Sequence, residues 1–467
     1  MSRRPRFRSS SSPASLSGRG ALSPRQFDRL MKPLRPGPQL GVAVSGGGDS
    51  VALMLLVSLW RDWLGQKDQP VPDVTVLTVD HGLRREAAQE ARQVGRWARA
   101  LGFSHKTLKW VPAEKPSANI QQAARDARYS LLTGWAGARE ADLLVAHHLD
   151  DQAETFLIRL QRGSGVDGLA AMTPVSVKAG VRVLRPLLTV PQARLRATLR
   201  VHQQKWVEDP SNEDARFLRV QVRKALPLLD ELGLTRDRLV ETALRMTRAR
   251  AALDDMCDQV ERAAVCWCEE GFARVALRPL REVPDEIALR LLARILKGVT
   301  GSVYAPRLQG LEALLTAVRT GSLQGGRTLG GAKWSAAGKW PGVNSGDEMV
   351  VLREGAGLPA EPLTLKPGGQ AVWDGRFRVM RPKKLVAGEV RALGADGLKL
   401  AVSLARENPQ AYGCDLPHQV PRPVLHALPA YWREGGLRAQ PHLGFFAPEC
   451  GGVFEARFIG GRPRGDG

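Results

Sequence analysis

Residues 41–50 read GVAVSGGGDS, an apolar run followed by Ser45, Gly46, Gly47, Gly48, Asp49 and Ser50. LGVAV (residues 40–44) has the length and branched side chains of a buried strand, and SVALMLLVSLWRDWL (residues 50–64) carries helix formers over about four turns. A strand that ends in glycine and opens a helix presents backbone N–H groups at the helix's positive end, where glycines let a phosphate come close. The phosphate loop G-x-x-x-x-G-K-[ST] of kinases and GTPases requires a lysine that is absent here. The plainer alternative is a turn capped by Asp49 and Ser50. Three glycines between two serines and an acid exceed what a turn needs, so the stretch reads as an anion loop.

The same alternation continues outward. VTVLTVD (residues 74–80) is a strand and EAAQEARQVGRWARALG (86–102) a helix, followed by a weaker strand at 104–110 and the helix ANIQQAARDARYSLLTGWAGA (118–138). DLLVAHH (142–148) reads as a buried strand and DDQAETFLIRLQR (150–162) as the next helix. Strand and helix in turn predict an α/β domain, a parallel sheet with helices on both faces. Ligands of such sheets bind beyond the carboxyl ends of the strands, so the loops after residues 44, 80 and 146 should share one cleft. From about residue 182 the pattern changes to Arg-rich helices, with Pro227 and Gly233 near a boundary. Residues 237–320 look mainly helical, and beyond Gly325 come short β-like pieces such as AVWDGRFRVM (371–380). The expected organisation is a basic tail over 1–36, the α/β domain over 37–232, a mainly helical domain over 233–344 and a β-rich or mixed module over 345–467.

A net charge of +21 is the footprint of a protein that meets a polyanion, most commonly nucleic acid. VRVLRPLLTVPQARLRATLR (181–200) sets arginines at helical spacing, suited to tracking phosphates rather than reading bases; a solvated surface helix is the alternative. The cysteines Cys257, Cys266, Cys268, Cys414 and Cys450 are odd in number and scattered, which argues for a reducing compartment and against a disulfide framework or a zinc site. No apolar run approaches the roughly 18 residues of a membrane span. MSRRPRFRSSSSPASLSGRG at the start has the composition of a transit peptide, of a basic arm that touches RNA, or of an over-extended start. It is read as a disordered tail on a cytoplasmic protein.

AHHLDDQAET (146–155) is the second cluster. His147 and Asp151 are four apart and Glu154 follows Asp151 by three, which gathers polar groups on one face of a helical turn. The residue types would also suit a metal, and a bare surface turn is the bland alternative. The strand terminus, the density of ionisable groups and the apolar strand beside them favour catalysis or substrate binding. For Asp80, at the end of the second strand, a turn or helix cap is the alternative to a site.

SGGGDS resembles the SGGxDS signature of the PP-loop ATP pyrophosphatases. That resemblance implies a loop for the pyrophosphate end of ATP and cleavage between the α- and β-phosphates, with an adenylated intermediate. AHHLDDQAET followed by RGSGVDGLAAM (162–172), RPLL (185–188) and EDPSN (208–212), with ARDARY (124–129), DHGLR and TLGGAKW (328–334), is similar to the bacterial tRNA(Ile)-lysidine synthetase family. The likeness runs through most of residues 40–230, and the order of the motifs is more specific than any one of them. It implies ATP-dependent ligation of free L-lysine to C2 of the wobble cytidine of a tRNA(Ile) with a CAU anticodon, in the cytoplasm, with Mg²⁺.

Carried onto this sequence, the resemblance assigns Ser45, Gly46, Gly47, Gly48, Asp49 and Ser50 to ATP, with Asp80 lining the nucleotide site and Asp49 assisting through the metal. His147 and Asp151 would hold the cytosine, and Asp151 and Glu154 the incoming lysine. Arg128, or Arg125, would supply positive charge near the leaving group, a solvated helix face being the alternative. The helical domain would bind tRNA. The GSG of residues 163–165 is also what ends a helix. One departure stands out: Val220 occupies a position where the family has Asn, while Arg219 and Arg223 remain. A tRNA thiolase would want paired cysteines, and residues 37–232 have none. A nucleotide aminase would not explain the charge, and a non-catalytic tRNA-binding protein would not need the intact loop and the His147/Asp151/Glu154 cluster.

Overall fold

The apolar run before Ser45 forms β1 (Gln39–Ala43), and its neighbours show why the chain folds around it. The structure is a computed structural model that describes residues 20–82, 87–111, 120–208, 218–302, 306–323, 325–339, 347–417, 419–448 and 453–461. The N-terminal basic stretch to residue 19 and most of EDPSN lie outside the described residues. The chain divides into two units, residues 1–251 and 252–467.

In the first unit, β1 is followed by β2 (Asp73–Asp80), β3 (Ser104–Lys109), β4 (Asp142–Leu144), β5 (Val175–Lys178) and β6 (Val181–Leu184). The helices are α1 (Pro24–Met31), α2 (Gly48–Gly65), α3 (Ala87–Ala100), α4 (Ile120–Gly137), α5 (Leu149–Gln161), α6 (Val166–Leu169), α7 (Gln192–Val201) and α8 (Leu218–Glu231), and α9 (Arg236–Ala264) crosses the join. The sheet runs β3-β2-β1-β4-β6-β5, parallel except for the edge hairpin of β5 on β6. The strand order reverses between β1 and β4, so their carboxyl ends flank a crevice.

The period of two along the strands sorts their side chains onto two faces. Leu40, Val42, Val44, Val74, Val76, Leu144 and Leu184 pack with α1, α2 and α7 in one core. Leu77, Leu143, Val145, Val181 and Val183 face Leu132 and Ala136 of α4 in the other. Residues 51–57 of α2 are all buried, which explains a helix that is apolar nearly all round.

Two expectations need correction. Residues 181–184 are the strand β6, and only 192–201 of the Arg-rich stretch form a helix. Arg185 and Arg194 are buried there and donate to the chain's own carbonyls, Thr173 O at 3.0 Å and Gly20 O at 2.9 Å, so neither tracks an outside phosphate. Pro227 lies inside α8, and Gly233 follows it with a positive φ of 81°.

In the second unit, β7 (Val265–Cys268), β8 (Phe272–Ala276), β9 (Arg327–Leu329), β10 (Ala332–Ala336) and β11 (Glu348–Arg353) make an antiparallel sheet ordered β7-β8-β11-β10-β9. The expected helices are present as α10 (Leu277–Glu282), α11 (Asp285–Thr300) and α12 (Leu308–Arg319), and α11 lays Leu291, Leu292, Ile295 and Val299 into a core shared with Val275, Trp334 and Val351. TLGGAKW is the β9–β10 hairpin. The last stretch is β-rich, with sheets β12-β15-β16-β17-β18 and β13-β14-β19. Their strands are β12 (Leu363–Thr364), β13 (Gln370–Trp373), β14 (Phe377–Met380), β15 (Glu389–Ala392), β16 (Pro429–Arg433), β17 (Gly436–Gln440), β18 (Phe445–Phe446) and β19 (Glu455–Phe458). AVWDGRFRVM is the β13–β14 hairpin, turning at Asp374 and Gly375 as Asp-Gly pairs do.

Candidate active site

The loop after β1 is held by its own serine. Ser50 is buried; its Oγ accepts from Ser45 N at 3.1 Å, lies 3.2 Å from Ser45 Oγ and donates to Gly47 O at 2.9 Å. Gly46 has φ of +97°, a conformation that side-chain-bearing residues rarely adopt, and it accepts from Val207 N at 2.9 Å. The helix's own bonding begins with Val51 N to Gly47 O at 3.1 Å. The first amides of α2 therefore stand outside that bonding at the positive end of a long helix, as an anion site requires. Ser50→Ala is expected to weaken binding of a phosphate-bearing ligand at this loop about tenfold, because loss of a net hydrogen bond of about 1 kcal/mol is compounded by a loosened loop. Titration of wild type and variant with a nucleoside triphosphate checks it.

Across the crevice the chain leaves β4, and His148 becomes the N-cap of α5, its backbone N–H donating to Asp151 Oδ2 at 3.1 Å. The His148 ring is buried among three carboxylates. Nε2 lies 3.4 Å from Asp49 and 3.5 Å from Asp151, and Nδ1 lies 3.5 Å from Asp150. Burial opposes charge on this ring, yet Asp150, Asp49 and Asp151 raise its pKa to about 10, so it is an imidazolium at neutral pH. Burial likewise works against an ionised Asp49, but His148, Gln192 and Arg196 hold its carboxyl below the usual range. Gln192, first residue of α7, donates its side chain to both Asp49 oxygens at 3.1 Å and its backbone N–H to Asp150 at 2.9 Å.

His147 has the opposite character. Burial pushes its pKa down to about 4 against the pull of Asp151, and Arg185, Arg125 and Arg219 add to the drop. It is neutral at pH 7, and its Nδ1 is buried with no partner. Glu154 is 1% exposed; Oε1 accepts from Arg223 Nε at 2.8 Å, while Oε2 has no partner. Buried polar atoms are normally paired, so an unpartnered His147 Nδ1 just past β4 and an unpartnered Glu154 Oε2 within α5 mark places prepared for a ligand.

The remaining expected residues are more dispersed. Arg128 directs its Nε at His81 Nε2, 3.3 Å away, on the loop after β2. Burial and Arg128 together lower the pKa of His81, leaving it neutral and able to accept. Asp80 caps its own turn, accepting from Gly82 N at 2.9 Å. Arg223 is committed to Glu154. Val220 is buried in α8, so the position filled by Asn in the family is a packing position here. Gly163 closes α5 with its N–H on Leu160 O at 2.9 Å, and Arg159 ties Gly168 O and Ala171 O at 2.8 Å each, holding the loop of RGSG beside the site.

Among the described residues no group of three or more His, Cys, Asp or Glu is disposed to hold a metal. Asp49, a hard oxygen donor at the phosphate loop, fits Mg²⁺ carried in on ATP phosphates rather than a resident ion in a protein cage. His148 and Asp150 stand within AHHLDDQAET, where the His-His and Asp-Asp doublets were their signal, but no role was assigned to them. Gln192 and Arg236, whose Nε lies 3.0 Å from Asp150, left no signal.

A serine- and glycine-rich loop on a helix start, set at the switch point of a parallel sheet, is the arrangement of a PP-loop domain. The family model of that description matches residues 21–229. The chain belongs to the tRNA(Ile)-lysidine synthase family. It is 41% identical over 415 residues to the tRNA(Ile)-lysidine synthase of Ruegeria pomeroyi, covering 88% of this chain and 90% of that protein. It is 44% identical over 301 residues to that of Rhodopseudomonas palustris, covering 64% and 85%. The counterpart in Wolbachia pipientis is 35% identical over 340 residues, covering 73% and 76%.

Proposed function

We propose that this chain is an ATP-dependent carbon–nitrogen ligase that joins the ε-amine of free L-lysine to C2 of the wobble cytidine of tRNA(Ile) with a CAU anticodon. The observation that carries the reading is the meeting of the phosphate loop with the start of α5, where Asp49 and Asp151 lie 3.4 and 3.5 Å from one His148 nitrogen. A nucleotide phosphate at the loop and a substrate at α5 would then share a cleft.

In the first step the cytosine O2 attacks the α-phosphorus of ATP, and the bond to the β-phosphate oxygen breaks. Amides of the Ser45–Ser50 loop hold the departing pyrophosphate in a low-dielectric setting, where fixed donors act strongly. Mg²⁺, when bound to the phosphates, neutralises charge on the leaving group, and Asp49 is the carboxylate that would meet it. His147, neutral with a free nitrogen, is suited to hold the base without repelling the arginines around it.

In the second step the lysine amine attacks C2 and AMP leaves. The amine must lose a proton, and Asp151, its side chain 16% exposed, is the α5 carboxylate that can accept it. Glu154 Oε2 offers an acceptor for the ammonium groups of lysine. Asp80 and Arg128, with its partner His81, stand on the β2 side for the nucleotide. The basic surface supplies the attraction for tRNA, and the cytoplasm, where tRNA and free lysine meet, goes with this reading. No helix among the described residues is long and apolar enough to cross a membrane.

The test is transfer of labelled lysine. Purified chain with ATP and Mg²⁺ is expected to label a tRNA(Ile) transcript with a CAU anticodon and to leave a CAU elongator methionine tRNA unlabelled. Absence of label on the first transcript, or a thiolated product, would overturn the reading.

A further inference from the structure

Resting on the proposed function, we infer that His148 is a positioning residue that locks the phosphate loop to the lysine-binding end of α5, so that both half-reactions depend on one buried ring. His147 and His148 are indistinguishable by residue type, and the fold separates them. Nδ1 of His147 has no hydrogen-bond partner, whereas the His148 side chain, 4% exposed, lies 3.4–3.5 Å from Asp49, Asp150 and Asp151.

These carboxylates come from two segments with no covalent closeness. Asp49 opens α2 and is held on its other side by the Gln192 side chain at 3.1 Å. Asp150 and Asp151 open α5, and Asp150 also receives the Gln192 backbone at 2.9 Å and Arg236 at 3.0 Å. The starts of α2 and α5 therefore meet at one ring, and those of α7 and α9 at the carboxylates around it.

Three carboxylates gathered around one ring repel one another, and the repulsion is stronger for side chains only 16–32% exposed than it is in bulk water. Without the ring between them, Asp49 and Asp151 would turn apart. That change moves the loop that receives pyrophosphate and the group that receives the amine together. A residue that only stabilised the fold would not impose that pairing of effects.

The experiment compares wild type, His148→Gln, Asp150→Asn and the double variant. Pyrophosphate release with tRNA(Ile) in the absence of lysine reads adenylation, labelled lysine reads transfer, and thermal melting reads the fold. His148→Gln is expected to slow both steps by about 100-fold, the scale of a misplaced constellation, with KM for ATP within about fivefold. Adding Asp150→Asn removes one unbalanced charge and is expected to recover about tenfold of the loss. Wild-type rates in His148→Gln, loss of one step alone, or a folded double variant no better than His148→Gln would overturn the inference. If His148→Gln does not fold, the double variant is compared with Asp150→Asn; failure of the double variant to fold makes His148 a folding residue and overturns the inference. Wild type that transfers no lysine would overturn the proposed function along with it, whereas wild-type transfer with an unaffected variant counts against His148 alone.

Discussion

Asp151→Asn is expected to lower lysine transfer by about 1000-fold while KM for ATP stays within about fivefold, within the range by which a positioned proton acceptor accelerates a step. Asparagine keeps an oxygen for the His148 backbone N–H, which Asp151 Oδ2 now accepts at 3.1 Å, so α5 still starts where it does. It removes the charge that attracts the amine and the basicity that takes its proton. Alanine would be a poorer test, because it would also strip the cap and leave His148 short of a partner. Single-turnover transfer and ATP titration on the same preparation check the result. A parallel loss of ATP affinity would assign Asp151 to the phosphate loop instead.

Glu154→Gln is expected to raise KM for lysine by about 100-fold with a smaller change in kcat, the size of a lost charge-assisted hydrogen bond. Glu154 is 1% exposed, and only Oε1 is satisfied, by Arg223 at 2.8 Å. A buried acceptor without a donor costs about 1–3 kcal/mol, and a lysine ammonium at Oε2 would remove that cost. Glutamine has the same shape and still meets Arg223 through its oxygen, but it presents an N–H₂ toward the ammonium. Steady-state kinetics in lysine and in ATP separate the outcomes. An unchanged KM for lysine would place the substrate amine elsewhere.

The sheet and the loop were legible because their signals are local. LGVAV, VTVLTVD and DLLV are short apolar runs between helix patterns, and SGGGDS needs no distant partner to be read as an anion loop. The alternation also located the crevice, since a parallel sheet brings the ends of β1 and β4 together. What failed were features made by contacts far apart in sequence. Gln192 lies 143 residues from the Asp49 it holds, and nothing in its neighbourhood distinguishes it from any other helix start.

The arginines of residues 181–200 misled for a related reason. Arg182 alternates with buried Val181 and Val183 in a four-residue strand, too short for its period to outweigh the helical pattern that follows. Arg185 is drawn inward to carbonyls rather than outward to phosphates. The second unit's sheet was hidden because its strands are short and pair late. Arg274 of β8 meets Glu348 of β11 across 74 residues, while the helices between them dominate the pattern. The RNA-facing role of the middle region rested on charge and resemblance, not on any element readable in this way.

The most direct measurement follows the fate of ATP while lysine is transferred. With tRNA(Ile) bearing a CAU anticodon, labelled lysine and ATP labelled separately at the α- and γ-phosphates, one AMP and one pyrophosphate are expected for each lysine found on the wobble cytidine. ADP and inorganic phosphate, or pyrophosphate released without lysine ever reaching that base, would contradict this.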